Sequence, residues 1–341
     1  MTKRVKFFLI AFFVSLPFWW GINIFQENLE KFFYAQISEP FQNISEIKIP
    51  PKPQKPKLDL EAKSAISVKV KEAGKDYNPP TTSSHPDLSG WAPIIAFEKN
   101  SEETLPIASL TKLMTAVIVL EDKNYDLEET WTISKTAANQ ENVPNYGNLK
   151  EEEKFNVNQL LDLMLIYSSN DAAFALSEFF GVENFVAKMN QKAEELGLKN
   201  THFVNPTGLD PEKILFNQET SIFFNSSTAK DLVKLAQYIF KNYPLIFEIS
   251  LKKGPYPLNN GVSSLVLPEN QTPERSEGRE MNEVQRTILG GKTGYTDEAG
   301  GCILFVFRDE EGNTFFNVIL GTESQTARIT EMQKLIDWLS L

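Results

Sequence analysis

Ser109 and Lys112 are the residues whose types and spacing first point to chemistry. They lie three residues apart in LPIASLTKLMTAVIVLE, Leu105–Glu121, where apolar residues recur at helical spacing and predict a buried helix after Pro106. A serine hydroxyl beside an amine, in a first helical turn with unpaired backbone N–H groups, is the arrangement of an activated nucleophile. The same Ser-x-x-Lys pattern also occurs at Ser45/Lys48, Ser227/Lys230 and Ser250/Lys253. The pair alone therefore does not identify an enzyme.

The composition argues against several other kinds of site. A formal net charge of −11, without a long Lys/Arg cluster, argues against nucleic acid as a partner. Cys302 is the only cysteine, which excludes an intramolecular disulfide and a multi-cysteine metal site. A Ser-His-Asp triad would have to use His85 or His202. His202 lies in THFVNPTGLD, where we expect a structural turn.

Two further polar motifs follow Ser109 along the chain. Ser168-Ser169-Asn170 lies between two predicted helices, and Lys292-Thr293-Gly294 is the only Lys-Thr-Gly. Separately, the three motifs could be a capped helix, an inter-helix turn and a strand-end turn. In this order they are typical of penicillin-binding proteins and class A β-lactamases. The order predicts that Ser109 is the nucleophile.

Longer stretches extend this resemblance over Leu58–Leu341. They are PIASLTKLMTA (Pro106–Ala116), YSSNDAA (Tyr167–Ala173), MNQKAEELGLKNTHFVNPTGLD (Met189–Asp210) and GGKTGYTDEAGGC (Gly290–Cys302). The chain resembles the D-alanyl-D-alanine carboxypeptidase family, the low-molecular-mass penicillin-binding proteins of peptidase family S11. The Met189–Asp210 match separates it from class A β-lactamases. Ser169 stands where the family usually has glycine, and Pro268–Gln285 does not align.

The resemblance implies a serine peptidase reaction on peptidoglycan stem peptides. Ser109 Oγ would attack the carbonyl between two D-alanines, giving an acyl-enzyme that water hydrolyses and releasing D-alanine. Ser168 would bridge Lys112 and Lys292 and pass a proton to the leaving amine. β-Lactam antibiotics are the implied acylating inhibitors, and no metal or organic cofactor is implied.

The resemblance also assigns the residues that bind the substrate. Asn170 would hold the side-chain amide of the substrate, and Lys292 and Thr293 would bind its terminal carboxylate. Gly294 would let an extended substrate lie close to the strand edge. The backbone N–H groups of Ser109 and Tyr295 would form the oxyanion hole. Arg328 is the last residue that the resemblance assigns to the site.

Arg328, in GTESQTAR, has two interpretations. It matches a recurring family arginine that supports the carboxylate subsite, or it is a surface charge at a helix start.

Lys112 is the predicted base because no histidine is convincingly placed. It would have to be neutral, whereas a free lysine titrates near about 10.4. Burial and the second cation, Lys292, both lower a lysine pKa.

The N-terminal residues predict a membrane anchor. Phe7–Phe25 carries no charge over 19 residues, about 28 Å as a helix, which is enough to cross a bilayer. It ends in aromatic residues without an Ala-x-Ala cleavage site, which favours an anchor over a signal peptide. Basic residues precede it and acidic ones follow, so the rest of the chain is expected on the outer side of the bacterial cytoplasmic membrane. The expected organisation is an anchor (1–25), a Pro/Lys-containing stalk (26–57) and a peptidase domain (58–341).

The elements expected around the site predict an α+β fold. Ala62–Val70, Pro93–Phe97, Cys302–Arg308 and Thr314–Gly321 are predicted strands, and Ile329–Leu341 is a predicted closing helix. Strands at both ends with helices between them predict an antiparallel sheet, flanked by helices, with an inserted helical lobe. The resemblance implies the β-lactamase/penicillin-binding-protein transpeptidase fold. The alternatives are a D,D-endopeptidase or β-lactamase with the same machinery, or an inactive cell-wall-binding homologue.

Overall fold

A computed structural model describes residues 55–71, 93–140, 147–210, 214–216, 219–221, 224–252 and 286–341. The predicted anchor, nearly all of the predicted stalk, His85 and Pro268–Gln285 lie outside these residues. From Lys57 to Leu341 the described residues form one compact unit. Within the described ranges, no helix is both long enough and apolar enough to span a bilayer.

The described part of the chain contains these strands and helices. The strands are β1 (Ser64–Lys71), β2 (Pro93–Lys99), β3 (Leu105–Pro106), β4 (Thr130–Thr132), β5 (Lys154–Asn156), β6 (Ile214–Phe216), β7 (Glu219–Ser221), β8 (Ser226–Ser227), β9 (Thr287–Thr296), β10 (Gly300–Arg308) and β11 (Asn313–Thr322). The helices are α1 (Thr111–Glu121), α2 (Val157–Ile166), α3 (Asn170–Glu178), α4 (Val182–Glu195), α5 (Ala229–Asn242), α6 (Leu245–Leu251) and α7 (Gln325–Leu339).

A five-stranded antiparallel sheet joins the two ends of the described unit. Its strand order is β2-β1-β11-β10-β9, and Ser64 on β1 pairs with Leu320 on β11. Strands early in the sequence are thus held by strands close to its end, and the helices α1 to α6 come between them in the sequence. This arrangement confirms the predicted antiparallel sheet flanked by helices. It also makes β9, which carries Lys292, an outer strand.

Two hydrophobic clusters cover the two faces of the sheet. The side chains of β10 alternate between them: Leu304 and Val306 join the larger cluster around α1, whereas Phe305 and Phe307 join the cluster beneath α7. This period of two is what a strand buried on both faces requires. All residues of α1 from Thr111 to Val119 are buried, so α1 is a central helix rather than an amphipathic surface helix.

The helix predicted after Pro106 begins later than expected, at Thr111. Leu105–Pro106 pairs with β8, and a 3₁₀ turn, Ala108–Leu110, precedes α1. Proline has no N–H to donate, and Ala108 has a φ of +47°, outside the right-handed helical range. The nucleophile candidate therefore lies in a turn rather than in a regular helix.

The C-terminal third differs from expectation in three ways. The Lys-Thr-Gly motif lies inside β9 rather than in a turn at a strand end, because β9 pairs with β10 from Thr287 to Thr296. Helix α6 was not predicted. It packs against β9 at Gly290, where a side-chain carbon would lie 2.4 Å from the Cβ of Phe247. Helix α7 begins at Gln325 because Ser324 caps it, accepting a hydrogen bond from the backbone of Ala327 at 3.1 Å.

Candidate active site

Ser109 is half-buried in the turn before α1, and its backbone is tightly packed. A side-chain carbon on Gly208 would lie 2.1 Å from the carbonyl oxygen of Ala108 and 2.9 Å from the nitrogen of Ser109. Gly208 also has a φ of +86°, which favours glycine. The segment Asn205–Gly208 (NPTG) therefore packs directly behind the candidate nucleophile, and only a glycine at position 208 permits that approach.

Lys112 is fully buried, and three oxygens surround its amine. Its Nζ lies 3.0 Å from Ser109 Oγ and donates hydrogen bonds to Asn170 Oδ1 at 2.6 Å and to the carbonyl of Thr207 at 2.5 Å. Burial lowers the pKa of Lys112 well below its usual value, and the charge of Lys292 lowers it further. A neutral amine beside the hydroxyl is the state that a base requires.

Ser168 lies between α2 and α3 with a φ of +59°, a left-handed conformation that is uncommon for serine. Lys292 Nζ donates to Ser168 Oγ at 2.8 Å. The prediction that Ser168 bridges both lysines is therefore corrected. Ser168 contacts Lys292, whereas Lys112 contacts Asn170. The cause is the N-terminal position of Asn170 on α3, which brings its side chain to the Lys112 amine.

Lys292 is the second buried lysine of the site. Its Nζ also donates to the carbonyl of Thr293 at 2.8 Å. Burial lowers the pKa of Lys292 to about 7, with a smaller contribution from the charge of Arg328. Each serine thus has a buried lysine as its hydrogen-bond partner, Lys112 for Ser109 and Lys292 for Ser168, and burial lowers the pKa of both lysines.

Strand β9 passes directly beside the nucleophile. A side-chain carbon on Gly294 would lie 2.8 Å from the backbone nitrogen of Ser109. Tyr295, the next residue, is 36% exposed. The close approach packs the backbone of Ser109 against Gly294 of β9, the outermost strand of the sheet, and the outer edge of such a strand can pair with an extended substrate.

Arg328 is not a surface charge. It is 5% exposed, and its Nη1 donates to the carbonyl of Gly294 at 2.7 Å. The interpretation as an exposed helix-start residue is therefore wrong, because the side chain runs inward beneath the sheet edge.

Ser169, the departure from the family pattern, has its own set of contacts. Its side chain donates to the carbonyl of Gly147 and accepts from the backbone of Ala172 at 3.1 Å, which caps α3. A side-chain carbon on Gly147 would lie 2.7 Å from Ser169 Cβ. The serine is thus accommodated by a glycine in the facing segment.

Sequence reasoning missed the residues that hold the Thr207 carbonyl in place. Asn205 Oδ1 accepts from the backbone N–H of Thr207 at 3.1 Å and from that of Gly208 at 2.8 Å. Asn225 Oδ1 accepts in turn from the backbone of Val204 and Asn205. The only local signal was the Asn-Pro-Thr-Gly turn pattern, which says nothing of a distant lysine.

The other Ser-x-x-Lys serines inside the described ranges have structural roles. Ser227 shares a hydrogen bond with Thr201 at 2.7 Å, and Ser250 donates to the carbonyl of Phe247 at 2.6 Å. His202 forms a backbone bridge with Ser226, whereas the Ser109 hydroxyl faces Lys112. The geometry thus groups Ser109 with the other two motifs.

Comparison with known families agrees with this geometry. The family model Peptidase_S11, described as D-alanyl-D-alanine carboxypeptidase, matches residues 93–324. The chain belongs to this family. The matched range contains all three motifs, since it runs from the start of β2 to Ser324, the residue that caps α7.

Individual S11 relatives carry two related names. The chain is 31% identical over 250 residues to D-alanyl-D-alanine carboxypeptidase DacF of Bacillus subtilis, a match that covers 72% of this chain and 58% of that protein. It is 32% identical over 234 residues to a D-alanyl-D-alanine endopeptidase of Escherichia coli, covering 66% and 69%.

Solved structures share the fold. The D-alanyl-D-alanine carboxypeptidase of Mycobacterium tuberculosis superposes with a TM-score of 0.61 at 24% identity, covering 85% of this chain and 96% of that one. Penicillin-binding protein D2 of Listeria monocytogenes, in its cefotaxime-bound form, gives 0.59 at 25% identity, covering 84% and 100%.

Proposed function

We propose that this S11 protein is a serine-type D-Ala-D-Ala carboxypeptidase that removes the terminal D-alanine from peptidoglycan stem peptides and is acylated by β-lactams. The observation that carries the proposal is the 3.0 Å contact between Ser109 Oγ and the buried amine of Lys112. The names of the relatives supply the substrate class.

The partners of Lys112 support its role as the base. Asn170 Oδ1 and the Thr207 carbonyl oxygen can only accept hydrogen bonds, so they take the two N–H bonds of a neutral amine. The remaining lone pair then faces Ser109 Oγ. As Oγ attacks the carbonyl carbon, its proton passes to Lys112 Nζ, and the C–O bond of the tetrahedral intermediate forms.

Collapse of this intermediate requires a proton at the leaving amine. Ser168 Oγ, which accepts a hydrogen bond from Lys292 Nζ, is the group we assign to deliver it as the C–N bond breaks, while the Lys292 ammonium replaces the proton on Ser168. The backbone N–H groups of Ser109 and Tyr295 would bind the developing oxyanion, a contribution of about 10²–10³ in rate for such a donor. Lys292 and Thr293 remain the proposed carboxylate site. Water then hydrolyses the acyl-enzyme.

A D,D-endopeptidase is the second candidate, because the Escherichia coli relative carries that name. Both activities cleave a bond after D-alanine and differ in the leaving amine. An endopeptidase must accept a cross-linked peptide where a carboxypeptidase accepts a single D-alanine.

The membrane assignment is also a proposal. The charge-free run Phe7–Phe25 supports an uncleaved anchor, with residues 26–57 as a stalk and residues 58–341 as the peptidase domain outside the cytoplasmic membrane. N-terminal sequencing of the mature protein tests this, since a start beyond Trp20 would indicate a cleaved signal peptide.

The deciding experiment compares two substrates. The protein starting at Leu58 is incubated with diacyl-L-Lys-D-Ala-D-Ala and, separately, with a cross-linked stem-peptide dimer. Release of D-alanine with little dimer cleavage supports the carboxypeptidase, and preferred dimer cleavage supports the endopeptidase. Absence of both, with no penicillin labelling, would indicate an inactive homologue.

A further inference from the structure

The contact between Arg328 and Gly294 fixes the direction of one peptide group. Arg328 Nη1 donates to the Gly294 carbonyl oxygen at 2.7 Å. In a trans peptide, the carbonyl and the following N–H point in opposite directions, and no described peptide bond is cis. The N–H opposite this carbonyl belongs to Tyr295. When Arg328 holds the oxygen, it therefore aims the Tyr295 N–H away from the arginine.

The opposite side of this peptide is the outer edge of the sheet. β9 is the last strand after β10, and a carbon on Gly294 would lie 2.8 Å from the nitrogen of Ser109. The Gly294–Tyr295 peptide thus lies between the buried guanidinium and the backbone of the nucleophile. These are the positions of the two proposed oxyanion donors.

The arginine reaches the strand through a gap left by a glycine. Gly301 pairs with Tyr295 across β10 and β9. A side-chain carbon on Gly301 would lie 3.1 Å from Arg328 Cβ and 2.4 Å from the carbonyl oxygen of Ser324. Any larger residue would displace the start of α7. The fold therefore keeps this path open for the Arg328 stem.

We propose that Arg328 is a positioning residue for the oxyanion hole. It orients the Gly294–Tyr295 peptide, and its positive charge on the carbonyl oxygen polarises that peptide, so that the Tyr295 N–H is a stronger donor to the oxyanion. This role differs from binding the substrate carboxylate, which the family resemblance implies for Arg328. It rests on the proposed acyl-transfer function.

Two acyl donors separate these roles. Acyl-D-alanyl thioglycolate carries a carboxylate on its leaving group, and the ethyl thioester of the same acyl-D-alanine does not. In the full-length protein, Arg328→Gln is expected to slow single-turnover acylation by both esters by the same factor, about 10- to 100-fold, below the about 10²–10³ for outright loss of a donor. A loss confined to the thioglycolate ester, or no loss with either, overturns the inference.

A spectroscopic measurement keeps the test independent of general damage to the fold. The ester carbonyl stretch of the acyl-enzyme, isotope-labelled in the acyl group, should move to higher wavenumber in Arg328→Gln, because a weaker hydrogen bond polarises the carbonyl less. An unchanged stretch contradicts the proposal. Arg328→Lys, which keeps a charged donor, should lie between wild type and Arg328→Gln in both measurements, and no such recovery would count against it.

The matched control is Arg286→Gln. Arg286 also donates to a backbone carbonyl, that of Ile336 at 3.4 Å, and lies over the ring of Phe307. This change should alter neither ester's acylation rate. If wild type itself reacts with neither ester nor with penicillin, the proposed function fails. An active wild type with an equally active Arg328→Gln variant removes only the positioning role.

Discussion

Lys112 and Lys292 are both buried, and the charge of Lys292 holds the pKa of Lys112 further below its usual value. Like charges disfavour each other's protonated forms in a medium of low dielectric constant. The protonation state of the proposed base therefore depends on a lysine from a different element of the fold, strand β9.

This coupling predicts a shift in the pH dependence of acylation. A base must be neutral, so the rate falls as the pH falls through the pKa of Lys112. Lys292→Met removes the neighbouring charge, which should raise the Lys112 pKa and move this acidic limb to higher pH. The measurement is the rate constant for penicillin acylation against pH. Lys234→Met, which removes a lysine whose side chain is 40% exposed and pairs with Asp231, should leave the limb in place, and an unmoved limb in Lys292→Met would disprove the coupling.

Covalent labelling identifies the nucleophile. Fluorescent penicillin should label wild type, and Ser109→Ala should abolish labelling with little change in thermal unfolding, because the side chain is half-buried and loses one oxygen. Peptide mapping by mass spectrometry checks the site. Ser227→Ala and Ser45→Ala should still be labelled. Labelling that survives in Ser109→Ala would show that another serine is the nucleophile.

Replacing Asn225 should weaken both the stability of the protein and its acylation, because Asn225 supports the segment Asn205–Gly208 behind the nucleophile. Asn225 is buried and holds the backbone of Val204 and Asn205. Asn225→Ala leaves those N–H groups unpaired, so the free energy of unfolding should fall by about 1–3 kcal/mol. Acylation should slow as well, because the Thr207 carbonyl loses its support. Urea unfolding and penicillin acylation measure both effects, and Asn184→Ala, at an exposed asparagine, is the control. Unfolding at the wild-type urea concentration would contradict this.

Gly147 and Ser169 should be energetically coupled. Gly147→Ala is expected to destabilise the protein by about 1–3 kcal/mol through its positive φ, with an added steric part from the 2.7 Å approach to Ser169 Cβ. In a Ser169→Gly background the steric part disappears, so the cost should shrink. Gly312→Ala isolates the backbone part, because Gly312 has a φ of +81° and nothing within 4 Å. Equal costs in both backgrounds would argue against the coupling.

Penicillin turnover separates a peptidase from a β-lactamase. Class A β-lactamases use a dedicated glutamate for deacylation, and Asn200–Asp210 contains no glutamate. The opened penicillin also keeps its leaving group tethered in the site, whereas D-alanine diffuses away. We expect a stoichiometric burst of penicillin followed by very slow release, alongside steady D-alanine release from the peptide. Continuous penicillin hydrolysis at a comparable rate would replace the peptidase with a lactamase.

The sequence by itself determined the residue types, their order and most of the elements that hold them. Apolar spacing predicted α1 and the strands β10 and β11, because burial on one or both faces leaves a periodic trace. The order of three polar motifs was enough to select Ser109 from four serines. The predicted ends of helices and strands were less accurate, because caps and positive φ values leave only a weak signal in the sequence.

Only the tertiary structure decided which groups contact each other. Lys112 donates to the carbonyl of Thr207, 95 residues away, and Arg328 to that of Gly294, 34 residues away. Every residue except proline presents the same backbone N–H and C=O, so no side-chain pattern marks the carbonyl that will be used. Close approaches such as Gly208 to Ala108 likewise depend on how distant segments pack. The chemistry was therefore readable from side chains, and its positioning only from the folded backbone.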